Sequence, residues 1–154
     1  PICTMRLVIQ RVSRASVSIE GEGIRSIGHG LVVLIGVEEG DHEADAEWLA
    51  QKTALMRIFS DNEGKMNLSL LEVNGEILAI SQFTLFAQTA KGNRPSFIRS
   101  AKPEQAIPLY EAYVKCLQSN HGIKVTTGTF GANMDVALTN QGPVTILMDS
   151  RKRE

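Results

Sequence analysis

Two short stretches place polar groups where the surrounding pattern is apolar. In "EILAISQFTLF" an apolar run is interrupted by Ser81, Gln82 and Thr84. In "LTNQGPVTILMDS" the run is broken by Asn140, Gln141, Gly142 and Pro143. Each has an ordinary reading: polar residues at a strand end face water, and Asn-Gln-Gly-Pro is the punctuation of a turn. Each also has a chemical one. A strand end lined by hydroxyls and amides can face a cleft, and Gly-Pro offers two carbonyls and no side chain to whatever it touches. The local residues leave both readings open.

Familiar catalytic sets do not stand out. His29 lies between two glycines, His42 at a helix start and His121 at a helix end, none beside a Ser or Cys in a nucleophile setting. There is no GxSxG elbow, although triads also assemble from distant positions. No His-x-x-x-His, Walker loop or dinucleotide glycine loop appears. Cys3 and Cys116 fit no metal or redox spacing. No metal and no cofactor is expected.

The elements that must position these residues read as follows. Residues 6–12 and 15–20 alternate as two strands, and "IRSI" is a short third. Residues 31–37 are apolar on both faces, as in a buried central strand. A first helix starts after Asp41, its expected N-cap, with Glu43, Asp45 and Glu47 in its early turns. Its apolar stripe is Trp48, Leu49, Leu55, Met56 and Phe59, with the Lys52 stem, and "SDNEGK" ends it. Asn74-Gly75 signals a hairpin, and residues 76–86 form the strand after it. A second helix has Pro103 in its first turn, Leu109, Tyr113, Val114 and Leu117 on its apolar face, and "HG" as its stop. Pro108 either kinks it or delays its start. "IKVTTGTF", "DVALTN" and "VTILMDS" are three closing strands. The pattern describes one α/β domain: a mostly antiparallel sheet system with two main helices.

The chain has 154 residues, 43% hydrophobic and 21% charged, enough for one domain with its own core. Aromatics are 5%, which argues against a base-stacking platform. The net charge of −1 argues against coating long nucleic acid, DNA included, and suits a protein touching one RNA end. The loop after residue 86 gathers four cations, Lys91, Arg94, Arg99 and Lys102, which are candidates for gripping RNA phosphate. Nothing in the chain reads as an export signal or membrane span, so a cytoplasmic protein is expected. Met5 reads as the natural start, with residues 1–4 as an appended or extended segment and residues 5–154 as the domain.

"QRV..ASV", "RIFSDNEGKMN", "SQFTL", "RPSF" and "NQGPVT", in this order and spacing, resemble the D-aminoacyl-tRNA deacylase family. The resemblance covers residues 5–150 and is closer to the bacterial form than to the animal-specific one. The extra "PICT" and Pro108 depart from the pattern without touching a motif. The resemblance implies a barrel-like core, a cytoplasmic homodimer with its active site at the subunit interface, and hydrolysis of the ester between a D-amino acid and tRNA. Carried over, Ser81, Gln82, Phe83 and Thr84 line the catalytic pocket. Gly142 and Pro143, in the cis form and flanked by Asn140, come from the partner chain to screen chirality. Met134 sits near the terminal adenosine.

A wall of carbonyls accepts an ammonium and collides with an L-side Cβ. Glycine has no Cβ, so glycyl-tRNA is expected to be cleaved too. The Phe83 and Thr84 amides are the candidate oxyanion donors. Rival readings are a general esterase using Ser81 or Thr84 as nucleophile, and a non-catalytic RNA-end or small-ligand binding module.

Overall fold

Strand β1 (Arg6–Ile19) is the spine of the protein. In the computed structural model, which describes residues 4–154, it pairs along both edges. The two strands expected at 6–12 and 15–20 are therefore one. An irregularity around Arg11 and Arg14 shifts the inward parity. Before it, Leu7 and Ile9 face a core shared with the helices; after it, Val12, Ala15, Val17 and Ile19 face a second cluster. The expectation that residues 1–4 are an extension, and the reading of Cys3, lie for residues 1–3 outside the described residues. Thr4 donates its amide to Glu38 Oε1 at 3.0 Å.

One edge of β1 pairs antiparallel with β2 (Gly23–Ile27) and β3 (Gly30–Gly36), and the other with β8 (Met134–Asp149). The expected strands "DVALTN" and "VTILMDS" are thus two halves of β8. Next to β3 come β6 (Glu76–Ser81) and β7 (Val125–Thr127), both parallel. Parallel neighbours need crossovers, and the helices α1 (Glu43–Leu55) and α2 (Pro103–His121) supply them. Arg25 of β2 donates to the Thr127 carbonyl at 2.7 Å, drawing the sheet toward a closed barrel.

Several expectations need correction. The N-cap of α1 is His42, whose amide donates to Asp45 Oδ2 at 2.8 Å; Asp41 instead turns inward and accepts from the Glu38 amide at 2.7 Å. Helix α1 ends at Leu55 and buries Ala46, Leu49, Ala50, Thr53 and Ala54. The larger Trp48, Lys52 and Leu55 lie toward its outer side, because small residues let α1 approach α2 closely. Phe59 belongs to β4 (Phe59–Ser60), which pairs with β5 (Met66–Leu68), so "SDNEGK" is the hairpin turn. Asn74-Gly75 makes a turn leading into β6, with Asn74 at φ 53°, but no hairpin, since β3 and β6 run parallel. Pro108 sits inside α2 without ending it, and Gly122 closes that helix in the left-handed conformation.

Candidate active site

The strand expected over residues 76–86 stops at Ser81. Gln82 donates its amide to Ile35 of β3 at 2.7 Å, and Phe83–Phe86 coil into a 3₁₀ turn. The turn can press against the end of β3 because Gly36 stands there: a Cβ would meet Leu85 and Phe86 atoms at 3.0 Å. Its own bonds run from Leu85 N to Gln82 O and from Ala87 N to Thr84 O. The leading amides, Phe83 and Thr84, therefore have no acceptor within the turn. The Thr84 hydroxyl accepts from Gln82 Nε2. It is bonded to an amide, and no histidine is paired with it. His29 packs edge-on against Phe59 at 5.1 Å, and His42 and His121 sit at helix ends.

Three groups clamp this turn. Arg6 donates to the Leu85 carbonyl at 2.7 Å and pairs with Asp149 at 2.9 Å. The Phe86 ring is fully buried between two guanidiniums, Arg6 at 4.7 Å and Arg99 at 5.4 Å. Ser100 donates its hydroxyl to the Phe83 carbonyl at 2.7 Å, and Phe97 meets the Phe83 ring edge-on at 5.2 Å. The sequence reading missed Arg6 and Ser100. Their types in a strand and a loop give no signal, because their partners are backbone carbonyls far away in the chain.

The second motif is a built excursion within β8. Gln10 faces Thr145 and Val12 faces Asn140, so Arg11 alone stands opposite residues 141–144. Arg11 is 8% exposed and donates to the Gln141 carbonyl at 2.9 Å and the Ile58 carbonyl at 2.7 Å. Asn140 closes the excursion from inside: Oδ1 accepts from the Val144 amide at 2.7 Å, and Nδ2 donates to the Val144 carbonyl at 3.2 Å and to Thr145 Oγ1 at 3.1 Å. Between these clamps the Gly142-Pro143 peptide is cis and both residues are exposed. Gly142 has φ 135°, where a Cβ would lie 2.9 Å from Arg11 Nη2 and from Val144 Cγ2. Asn140, expected among the substrate-binding residues, thus holds the motif's shape.

Met134 lies over Gly128, its sulfur accepting from the Thr129 amide at 3.4 Å, and is packed against the second core cluster. Of the loop cations, Lys91, Arg94 and Lys102 are exposed. Arg99 is paired with Glu38 at 2.6 Å besides stacking on Phe86. The loop itself is partly ordered by mutual amide–carbonyl bonds between Gln88 and Ser96. Among the described residues, no cluster of His, Cys, Asp or Glu has the makings of a metal site, and no helix is long and apolar enough to cross a membrane.

Behind β3, a buried carboxylate group joins both ends of the chain. Glu38 pairs with Arg99, and Asp45 with Arg151 at 2.7 Å. Burial works against the charge of Asp45, but bonds from Arg151 and the His42 amide bring its carboxyl below the usual range. Burial pushes Asp41 up to about 7, helped by Asp45 and Glu38 nearby and opposed by the Glu38 amide and Arg151. Asp41 Oδ1 is buried without a hydrogen-bond partner.

Fold and site together define an α/β barrel protein whose candidate chemistry rests on backbone donors of one turn and backbone carbonyls of one strand excursion. The family model described as D-Tyr-tRNA(Tyr) deacylase matches residues 8–149, and the chain belongs to that family. A relative from Akkermansia muciniphila named D-aminoacyl-tRNA deacylase is 62% identical, over 97% of this chain and 100% of its own. One of the same name from Bacteroides thetaiotaomicron is 56% identical over the same shares. A solved structure titled c-Myc DNA Unwinding Element Binding Protein superposes with a TM-score of 0.85 at 39% identity, covering 93% of this chain and 97% of that one. A probable eukaryotic D-amino acid tRNA deacylase, 18% identical, shares the fold with a TM-score of 0.82, over 95% of this chain and 99% of that one.

Proposed function

We propose that this chain hydrolyses the ester of D-aminoacyl-tRNA in the cytoplasm, releasing the D-amino acid and tRNA. The observation that carries the reading is the 3₁₀ turn at Phe83. Two adjacent amides head it without acceptors inside the turn, beside a hydroxyl occupied by Gln82. An aminoacyl ester is already an activated acyl donor. Held with its carbonyl against the two amides, it needs only a water and stabilisation of the developing oxyanion; one such donor is worth about 10²–10³ in rate. The terminal 2′-hydroxyl of the tRNA is suited to assist. Thr84 as covalent nucleophile lacks a base. Duplex-DNA binding, the property named for one structural relative, has no extended basic surface to rest on at a net charge of −1.

The active unit is a homodimer. Within one chain the two motifs lie apart. Gln82 is bonded to Ile35, the cross-strand partner of Leu7, while Gln141 is bonded to Arg11. Four residues of β1 between Leu7 and Arg11 span about 13 Å. A two-fold partner brings Gly142 and Pro143 of one chain to Phe83 and Thr84 of the other if its axis passes midway. Midway is Val8, flanked by Leu34 and by Leu147, which is 72% exposed. That apolar row is the surface such a contact requires. There the Gly142-Pro143 wall excludes an L-side Cβ, Met134 faces the terminal adenosine, and Lys91, Arg94 and Lys102 meet phosphate.

The test is parallel deacylation of D-alanyl-, L-alanyl- and glycyl-tRNA, with sedimentation of the enzyme. Cleavage of the D and glycyl substrates with the L substrate spared is expected, from a dimer. An active monomer, or stable glycyl-tRNA at enzyme levels that clear D-alanyl-tRNA, refutes the cross-subunit wall.

A further inference from the structure

We propose that Ser100 is a positioning residue that aims the Thr84 amide at the substrate carbonyl. The inference rests on the reading of that amide as an oxyanion donor. Its geometry is set by one peptide unit. The Phe83 carbonyl and the Thr84 N–H belong to the same planar group. Gly142-Pro143 is the only cis bond among the described residues, so this peptide is trans and its C=O and N–H point in opposite directions. Whatever fixes the carbonyl fixes the amide. The Ser100 hydroxyl, 2.7 Å from the Phe83 oxygen, does so. It also withdraws electron density from the peptide, which strengthens the Thr84 N–H as a donor.

The hydroxyl is held against a rigid support. Glu38 and Ser100 form an antiparallel bridge. The Ala101 amide donates to Val37 at 2.9 Å, and the Ser100 amide to Phe97 at 3.0 Å. Arg99 binds Glu38 at 2.6 Å, so the segment is sewn to the end of β3 on both sides of Ser100. The Phe97 ring braces Phe83 from the same segment. The support is thus a continuation of the central sheet, whereas the turn it holds has few bonds of its own. Nothing else in the segment approaches the Phe83 carbonyl as a donor.

The experiment is single-turnover deacylation of D-alanyl-tRNA by the full-length enzyme and its Ser100→Ala and Ser100→Thr variants, over a range of enzyme concentrations. The saturating rate should fall about two- to tenfold in Ser100→Ala, the loss of one neutral hydrogen bond. The half-saturating concentration should stay unchanged, and Ser100→Thr, which keeps the hydroxyl, should restore the rate. Replacing the Phe83–Thr84 amide by an ester removes the N–H itself. In that background Ser100→Ala should have no further effect. An ester variant at full rate shows that the Thr84 amide is not a donor, and the assignment of Ser100 falls with it. A slow ester variant with an unaffected Ser100→Ala keeps the donor and overturns only the assignment of Ser100. Equal losses in Ser100→Ala and Ser100→Thr, or an undiminished Ser100→Ala effect in the ester background, also overturn it.

Discussion

Removing the Asn140 side chain should loosen the Gly142-Pro143 wall and reveal how much of the chirality filter is stiffness. Asn140→Ala deletes three hydrogen bonds. The bond from the Val144 amide at 2.7 Å matters most, because Val144 is 7% exposed and its amide is left without a partner. Leaving such a donor unsatisfied costs about 1–3 kcal/mol. The two longer bonds from Nδ2, at 3.2 and 3.1 Å, are more open to water and add little. A total near 2 kcal/mol lowers the melting temperature by roughly 4–8 °C for a chain of this size. Asn140→Asp separates the contributions. It keeps an acceptor for the Val144 amide but turns a carboxylate oxygen toward the Val144 carbonyl, so it should fall between the wild type and Asn140→Ala. The assays are urea unfolding and the ratio of D-alanyl- to L-alanyl-tRNA cleavage. Both stability and ratio should drop, in the order wild type, Asp, Ala. An Asn140→Ala enzyme with wild-type stability and an unchanged ratio refutes the clamp.

Thr84→Ala should keep much of the activity, while replacing the terminal 2′-hydroxyl of the tRNA by hydrogen should be far worse; the opposite pattern in single-turnover assays establishes a covalent role for Thr84. Asp41 holds its proton in the folded state to about pH 7 but has a usual value of 3.8, so stability is lost as pH rises through that window. Asp41→Asn should therefore be about 1–3 kcal/mol more stabilising at pH 8 than at pH 5, measured by urea unfolding; a pH-independent difference refutes the buried-charge account. Charge reversal at Lys91 and Arg94 should weaken tRNA binding and flatten its salt dependence, by about 0.7–0.9 in log–log slope for each phosphate no longer neutralised. An unchanged slope returns the loop to a structural role. Arg99 is unsuitable for that test, because its reversal breaks the pair with Glu38.

The two helices, the buried strand β3 and both polar interruptions were legible because each rests on local pattern. Leu109, Tyr113, Val114 and Leu117 face inward as their spacing requires, and Gly122 stops α2 where "HG" stands. The errors came where long-range pairing decides. Asn74-Gly75 has hairpin chemistry, yet the crossover through α1 makes its flanking strands parallel. The first helix was read one stripe too far round, because apolar size pointed to Trp48 and Leu55 while close packing on α2 selected the alanines. At the site, "SQFTLF" was recognisable as unusual, but its bend into a 3₁₀ turn depends on Gly36 of another strand. Arg11 had the sharpest unused signal: a cation followed by an apolar residue, both buried, in a strand that otherwise alternates. Two consecutive inward residues are the mark of a register break.

On the proposed reading, placing the chirality wall at a register break rather than in a free loop has a physical reason. A steric filter discriminates only as far as its wall refuses to move. A tenfold preference needs about 1.4 kcal/mol of resistance. A missing methylene contact supplies only about 1–3 kcal/mol, and a loop that yields by a few tenths of an ångström at lower cost supplies less. Here the wall has no slack behind it. The space a Gly142 Cβ would need is taken by Arg11 and Val144, and Arg11 is itself fixed to carbonyls on two elements. An L-alanyl methyl pressing on Gly142 must therefore displace a buried guanidinium. Glycine presses on nothing, so its cleavage is independent of wall stiffness. Variants that soften the wall, Asn140→Ala among them, should raise L-alanyl-tRNA cleavage while leaving glycyl-tRNA cleavage where it was. A parallel rise in both would mean that the excursion sets access to the site rather than the chirality of what enters it.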